Sequence, residues 1–273
     1  MGGDAAATLN RGATSVWRTI RIAFLLLLLG IAAYWNLHDR LSTTDWDETL
    51  WIGVFPINAE GGEVADGYIG SLSAAKVEDI EGFINREAQR HGVSIRRPVR
   101  VDLYPEVLEK PPPRAPDAGV LATMWWTLKL RLYANRNSQP PGRAPLQIRI
   151  FVLYHDPTFT QSVPHSVGLQ KGLVGVVHAY AEREMTRTNN VVIAHEILHT
   201  LGASDKYDLD SLAPLYPDGY AEPHNEPLYP QHLAEIMAGR YAIDAHTFEM
   251  PENLDAVRVG DATALEIRWI RPP

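Results

Sequence analysis

Between Val191 and Asp205 the chain sets His195 and His199 four residues apart in a run whose apolar residues, among them Val191, Ile193, Ala194, Ile197, Leu198 and Leu201, recur at helical spacing. No other stretch constrains the fold as tightly. Residues four apart on a helix lie one above the other, so the two imidazoles converge on one point in space. Asn189 or Thr188 stands where an N-cap is expected, and Gly202 stands where the helix should stop.

Two convergent imidazoles fit a single metal ion. The chain has no cysteine, so a metal site must draw on His, Asp, Glu or Tyr. Glu196 follows the first histidine and projects beside the same point, where it can take a proton from a metal-activated water. A helix with two half-buried polar histidines would explain the spacing alone. It would explain neither the intervening glutamate nor the residues after Leu201. There Gly202 can take the left-handed turn that reverses the chain, and Asp205 follows three residues later.

The set His195, Glu196, His199, Gly202 and Asp205 resembles the signature of the metzincin group of zinc metallopeptidases, in which a glycine bend carries a third ligand back to the metal. Most members have histidine in the last position, and Asp205 is similar to the aspartate of snapalysin-like members. The resemblance implies an α/β (α+β) catalytic domain with a twisted mixed sheet, an active-site helix and a C-terminal helix. It implies one Zn2+ per chain held by His195, His199 and Asp205, and an endopeptidase reaction on a protein or peptide substrate with Glu196 as general base. Asp208 and Tyr207 are the alternative third ligands, and Asp205 in a solvated loop is the bland reading. Metzincins also carry a methionine in a tight turn beneath the metal, which implies that role for Met237 in Ala234-Glu235-Ile236-Met237-Ala238-Gly239. Tyr207 and Tyr241 are candidate hydrogen-bond donors to the transition state, although neither matches the tyrosine two residues past the methionine in the astacin and serralysin groups.

Two rival readings stay open at this stage. One is a gluzincin-like hydrolase with Glu235 as third ligand. The other is a catalytically silent module in which the metal staples the fold and the chain binds an envelope partner. The remaining histidines, including His155, His165, His178, His224 and His232, show no ligand spacing and are assigned nothing. Asp208, Asp210 and Asp218 lie in a loop dense in Pro and Tyr, with no recognised calcium-loop pattern.

Upstream, Leu50 to Ile57, Val99 to Tyr104 and Leu146 to Tyr154 read as strands, and Ser73 to His91 reads as a helix stopped by Gly92. The range 172–180 is a weaker strand, expected at the sheet edge where an extended substrate pairs. Leu121 to Tyr133 is rich in tryptophan and fits either a strand or a helix. Val259 to Ile270, with Leu265 and Trp269 on one face, is expected to be the closing helix.

Near the N-terminus an apolar run extends from Ile22 to Trp35. Its length as a helix is roughly 21 Å, short of the ~30 Å hydrocarbon core, but Ile20 and Leu37 extend it and Trp17, Tyr34 and Trp35 suit the interfaces. The run reads as an uncleaved signal anchor, with a cleaved signal peptide or a buried core helix as alternatives. The expected organisation is a cytoplasmic segment at 1–19, a transmembrane anchor at 20–37, a linker at 38–48 and a metallopeptidase domain at 49–273. Arg11, Arg18 and Arg21 precede the run while Asp39, Asp45, Asp47 and Glu48 follow it, so the C-terminal bulk is expected outside the cytoplasm. The formal net charge of -8 offers no basic face for a polyanion, which argues against nucleic acid as a partner.

Overall fold

The computed structural model describes residues 17–27, 30, 44–115, 119–138, 145–170 and 173–271. The chain divides into two compact units, Met1–Ser42 and Thr43–Pro273. In the first unit residues 17–27 are helical (α1), and the rest of the expected 20–37 anchor lies outside the described residues except for residue 30. No described helix is long and apolar enough to cross a membrane.

The second unit is mixed α/β. Its main sheet has strands β1 (Leu50–Asn58), β2 (Val99–Leu103), β3 (Ile148–His155), β4 (Val167–Leu169) and β5 (Val174–Tyr180) in the order β2-β1-β3-β5-β4. The first four in that order run parallel, and β4 pairs antiparallel with β5. Strand β5 is therefore interior, and the edge expected at 172–180 belongs instead to the short β4. Strand β4 has no counterpart among the strands expected from the sequence, because three residues are too short to display a period of two.

Both faces of the sheet are buried, as parallel strands require. On one face Ile52, Val54, Ile150, Val152, Val177 and Ala179 join the core made with α3 (Glu78–Arg90) and α5 (Thr186–Leu201). On the other face Phe55, Ile57, Phe151, Leu153, Val174 and Val176 pack under α4 (Val120–Asn137). Alternation along each strand sends successive side chains to opposite layers. The tryptophan-rich segment thus resolves as a helix, with Trp126, Leu130, Tyr133 and Ala134 as its buried stripe. Another helix, α2 (Glu63–Gly70), follows β1 without having been expected from the sequence.

Helix α5 begins earlier than anticipated. Its N-cap is Met185, which makes no side-chain cap bond. Asn189 serves another purpose: its amide donates to the Tyr180 carbonyl at 2.9 Å and its oxygen accepts from the Tyr180 amide at 3.3 Å, clamping α5 to the end of β5. Asn190 reaches α3, donating to Asp79 Oδ1 at 2.6 Å. The C-terminal element is shorter than expected. Helix α6 covers only Asp261–Glu266, after the two-residue β9 (Val257–Arg258). Arg268 takes a positive φ of 62° that ends it, leaving Trp269 buried and Leu265 outside. The two residues share no face because they do not lie on one continuous helix.

Candidate metal centre

Helix α5 lies against β5 and β4 and carries His195, Glu196 and His199 to its half-open side. These three side chains offer ligand atoms within 4.8 Å of one another, and the group can hold a metal ion. Each imidazole is oriented from behind. His195 Nδ1 lies 2.9 Å from the Ile236 carbonyl oxygen, and His199 Nδ1 lies 2.8 Å from that of Ala203. Both Nδ1–H groups therefore donate to backbone, which fixes the tautomer and leaves each Nε2 lone pair facing the common point.

Gly202 produces the return that brings in a third group. It closes α5 with φ 109°, a left-handed conformation that disfavours any other residue, and the Ala203 amide bonds back to the Leu198 carbonyl at 3.0 Å. Beyond the turn, Asp205 Oδ1 stands 3.3 Å from His195 Nε2 and 3.1 Å from His199 Nε2. Although it touches both nitrogens, the oxygen makes no aligned hydrogen bond, and Asp205 Oδ1 and Glu196 Oε2 are buried oxygens without a hydrogen-bond partner. Unpaired buried acceptors are expensive. Two bare imidazole nitrogens and a carboxylate aimed at one point suit a divalent cation with a preference for nitrogen and oxygen ligands.

The electrostatics follow the same arrangement. Burial pushes the Asp205 carboxyl up, but His195 and His199 beside it pull it well below the usual carboxylate range. Burial opposes charge on His195, yet Asp205 and Glu196 raise its pKa overall. Glu196 is raised because its burial outweighs the two imidazoles.

The residues on either side of Asp205 are tied down, so the loop that carries it is fixed rather than solvated. Lys206 is buried, and its ammonium donates to Glu266 Oε1 and Oε2 at 2.9 and 2.8 Å and to Ser204 Oγ at 2.8 Å. Ser204 in turn donates its amide and hydroxyl to Glu266. The Lys206 amide donates to the Met237 carbonyl at 3.0 Å, which stitches this loop to the turn after β6 (Ala234–Glu235). Met237 is fully buried in that turn, one residue past the carbonyl that orients His195.

Glu235 does not point at the metal cluster. Its Oε2 accepts from the Met237 and Ala238 amides at 2.6 and 3.0 Å, and its Oε1 accepts from the Gly260 amide and the Thr263 hydroxyl at 3.1 and 2.7 Å. With both oxygens engaged inside the core, Glu235 is the brace of the Met237 turn rather than a third ligand. The Tyr207 phenol lies beside Asp205 and Glu196, and burial together with those carboxylates raises its pKa. Tyr241 belongs elsewhere. It sits on β7 (Tyr241–Ala242), paired with β8 (Phe248–Glu249), and its hydroxyl donates to Glu249 at 3.3 Å. Asp208 is likewise occupied locally, accepting from the Ser211 amide and hydroxyl at 2.8 Å each.

Gly168 on β4 was not anticipated from the sequence. A Cβ there would stand 2.5 Å from the Glu196 carbonyl oxygen and 2.6 Å from His199 Cβ, so only glycine allows β4 to lie this close to α5. Its amide faces the Glu196 carboxylate. A glycine inside a short strand was the available signal, hidden because the strand itself was not recognised.

No family model matches the chain and no curated protein matches it, so the reading of this centre stands on its own side chains.

Proposed function

We propose that this chain is a zinc-dependent endopeptidase of the metzincin type. The observation that carries the reading is the convergence of His195 Nε2, His199 Nε2 and Asp205 Oδ1 on one point, with both Nδ1 atoms tied to backbone carbonyls. His195, His199 and Asp205 would hold the ion. Zinc, when bound, supplies Lewis acidity toward a carbonyl oxygen and lowers the pKa of water near it.

The remaining chemistry belongs to the protein. Glu196, with Oε2 unpartnered, is the base that takes the proton of the attacking water and returns it to the leaving amine. Tyr207, beside both carboxylates, is the donor toward the oxyanion. Among the described residues β4 is the edge strand of the main sheet beside Glu196, and an extended peptide adding there would present its backbone to the centre. The same reading makes the N-terminal apolar run an anchor and puts the catalytic unit outside the cytoplasm.

A silent, metal-stapled module is less well supported, because a structural site has no use for a buried Glu196 whose Oε2 has no hydrogen-bond partner. The test is a pair of measurements on the wild type and on Glu196→Gln. The wild type is expected to carry about one zinc per chain and to cleave a peptide library, whereas Glu196→Gln keeps the zinc and loses roughly 10²-fold or more in rate. Equal cleavage by the two proteins would overturn the reading, as would zinc content unchanged in both His195→Ala and His199→Ala.

A further inference from the structure

Helix α4 carries a second apolar stripe besides the buried one. Leu121, Met124, Trp125, Leu128 and Leu132 are all exposed, with Leu121 at 81% and Trp125 at 59%. At about 100° per residue they form one ridge on the side of the helix opposite Trp126, Leu130, Tyr133 and Ala134. This ridge is not needed for the fold. A helix that is apolar both toward the core and toward the outside has a second apolar surrounding to meet.

The charges on α4 indicate what that surrounding is. The helix contains Lys129, Arg131 and Arg136 and no Asp or Glu, in a chain whose formal net charge is -8. Lys129 and Arg136 fall along one flank of the ridge and Arg131 along the other. The Lys129 ammonium lies 5.7 Å from the Trp125 ring centre, on a stem that can follow the apolar surface and leave its head at the rim. An apolar ridge with tryptophan, flanked on both sides by cations, is the pattern of a helix lying in a bilayer interface with anionic headgroups. No described helix, α4 included, is long and apolar enough to cross a membrane, so the pattern on α4 suits contact with a lipid surface rather than passage through it.

We propose that the outward face of α4 docks the catalytic unit onto an anionic lipid surface, its apolar ridge entering roughly 5–10 Å into the headgroup boundary. Because α4 and α5 cover opposite faces of the sheet, this contact leaves the His195 and His199 side uncovered. The docking does not depend on the metal reading, and it adds a second point of attachment to the anchor expected from the N-terminal run.

The absence of cysteine makes any introduced thiol unique. Full-length Leu121→Cys, Leu128→Cys and, as a control on an exposed site away from α4, Asp255→Cys can each carry an environment-sensitive fluorophore. The proteins are reconstituted into phosphatidylcholine vesicles with or without phosphatidylglycerol, and with or without a quencher fixed on the acyl chain. The expected result is blue-shifted emission and acyl-chain quenching at residues 121 and 128 and not at 255, stronger in anionic vesicles and weakened by Lys129→Gln with Arg136→Gln. Water-like emission at 121 and 128 would overturn the proposal. So would a blue shift without lipid quenching: if it fades on dilution the ridge binds a second copy, and if it persists the chain's own apolar run covers it. Equal quenching in neutral and anionic vesicles would overturn the role given to the cations. None of these outcomes reads peptide cleavage or zinc content.

Discussion

His195 Nδ1 and the carbonyl oxygen of Ile236 meet at 2.9 Å across a sequence separation of 41 residues. Through this bond the His195 imidazole on α5 takes its orientation from the turn that buries Met237, and Glu235 braces that turn from within. Orientation of the centre is therefore distributed over elements far apart in the chain.

Asp205 and Glu235 should separate cleanly in mutagenesis. Asp205→Ala is expected to weaken zinc binding by more than roughly 10²-fold, beyond the loss typical of a supporting residue, with little change in thermal stability of the metal-free protein. Glu235→Ala strands three donors, the Met237 and Gly260 amides and the Thr263 hydroxyl, while the Ala238 amide keeps the Glu235 carbonyl, and should cost roughly 3 kcal/mol or more of stability. Zinc titration and metal-free melting curves read the two effects. Retention of full zinc affinity by Asp205→Ala would transfer the third-ligand role to another residue.

Gly168→Ala tests the close approach of β4 to α5. The added methyl meets backbone and His199 Cβ below 3.0 Å, so β4 must retreat. Overpacking of this kind costs about 1–3 kcal/mol, which corresponds to a fall in Tm of roughly 2–12 °C for a domain of this size. The rate should fall further than zinc content, because the Gly168 amide faces Glu196 and not the imidazole nitrogens. A variant with wild-type Tm would show that the strand has room to give.

Stability should fall in mild acid through His178. Burial and then the neighbouring His155, whose Nε2 lies 2.8 Å from His178 Nδ1, push the His178 pKa down to about 4. A histidine with a lowered folded-state pKa binds fewer protons than its unfolded counterpart between that value and ~6.5, so the stability it contributes is present above ~6.5 and lost as pH falls toward 4. In urea unfolding of the metal-free protein, the difference between wild type and His178→Asn should change across that window and be constant above it. A pH-independent difference would count against the protonation account.

Topology has its own test. A reporter active only outside the cytoplasm, fused after Pro273, should be active, because Arg11, Arg18 and Arg21 precede the apolar run while Asp39, Asp45, Asp47 and Glu48 follow it. Activity instead from a cytoplasmic reporter at the same position would reverse the orientation.

Much of the centre could be read without coordinates. His195, Glu196, His199 and Gly202 lie within one helix and its terminus, where spacing alone dictates which side chains meet. Strands β1 and β3 were legible for a similar reason, since dense apolar segments announce themselves locally, whereas β5 read only as a weaker strand. Tertiary contact decided the rest. Glu235 and Asp205 are both carboxylates downstream of the helix, and only packing against Gly260 and Thr263 turns the first into a brace while the second reaches the imidazoles. Likewise Lys206 reads as a loop cation until Glu266, 60 residues away, is found beside it. Strand β4 and Gly168 were hidden because three residues carry no period, and their place is set by pairing with β5 and contact with α5. Local periodicity determines what a segment becomes, whereas the partner of a buried polar group depends on which distant segments the core brings together.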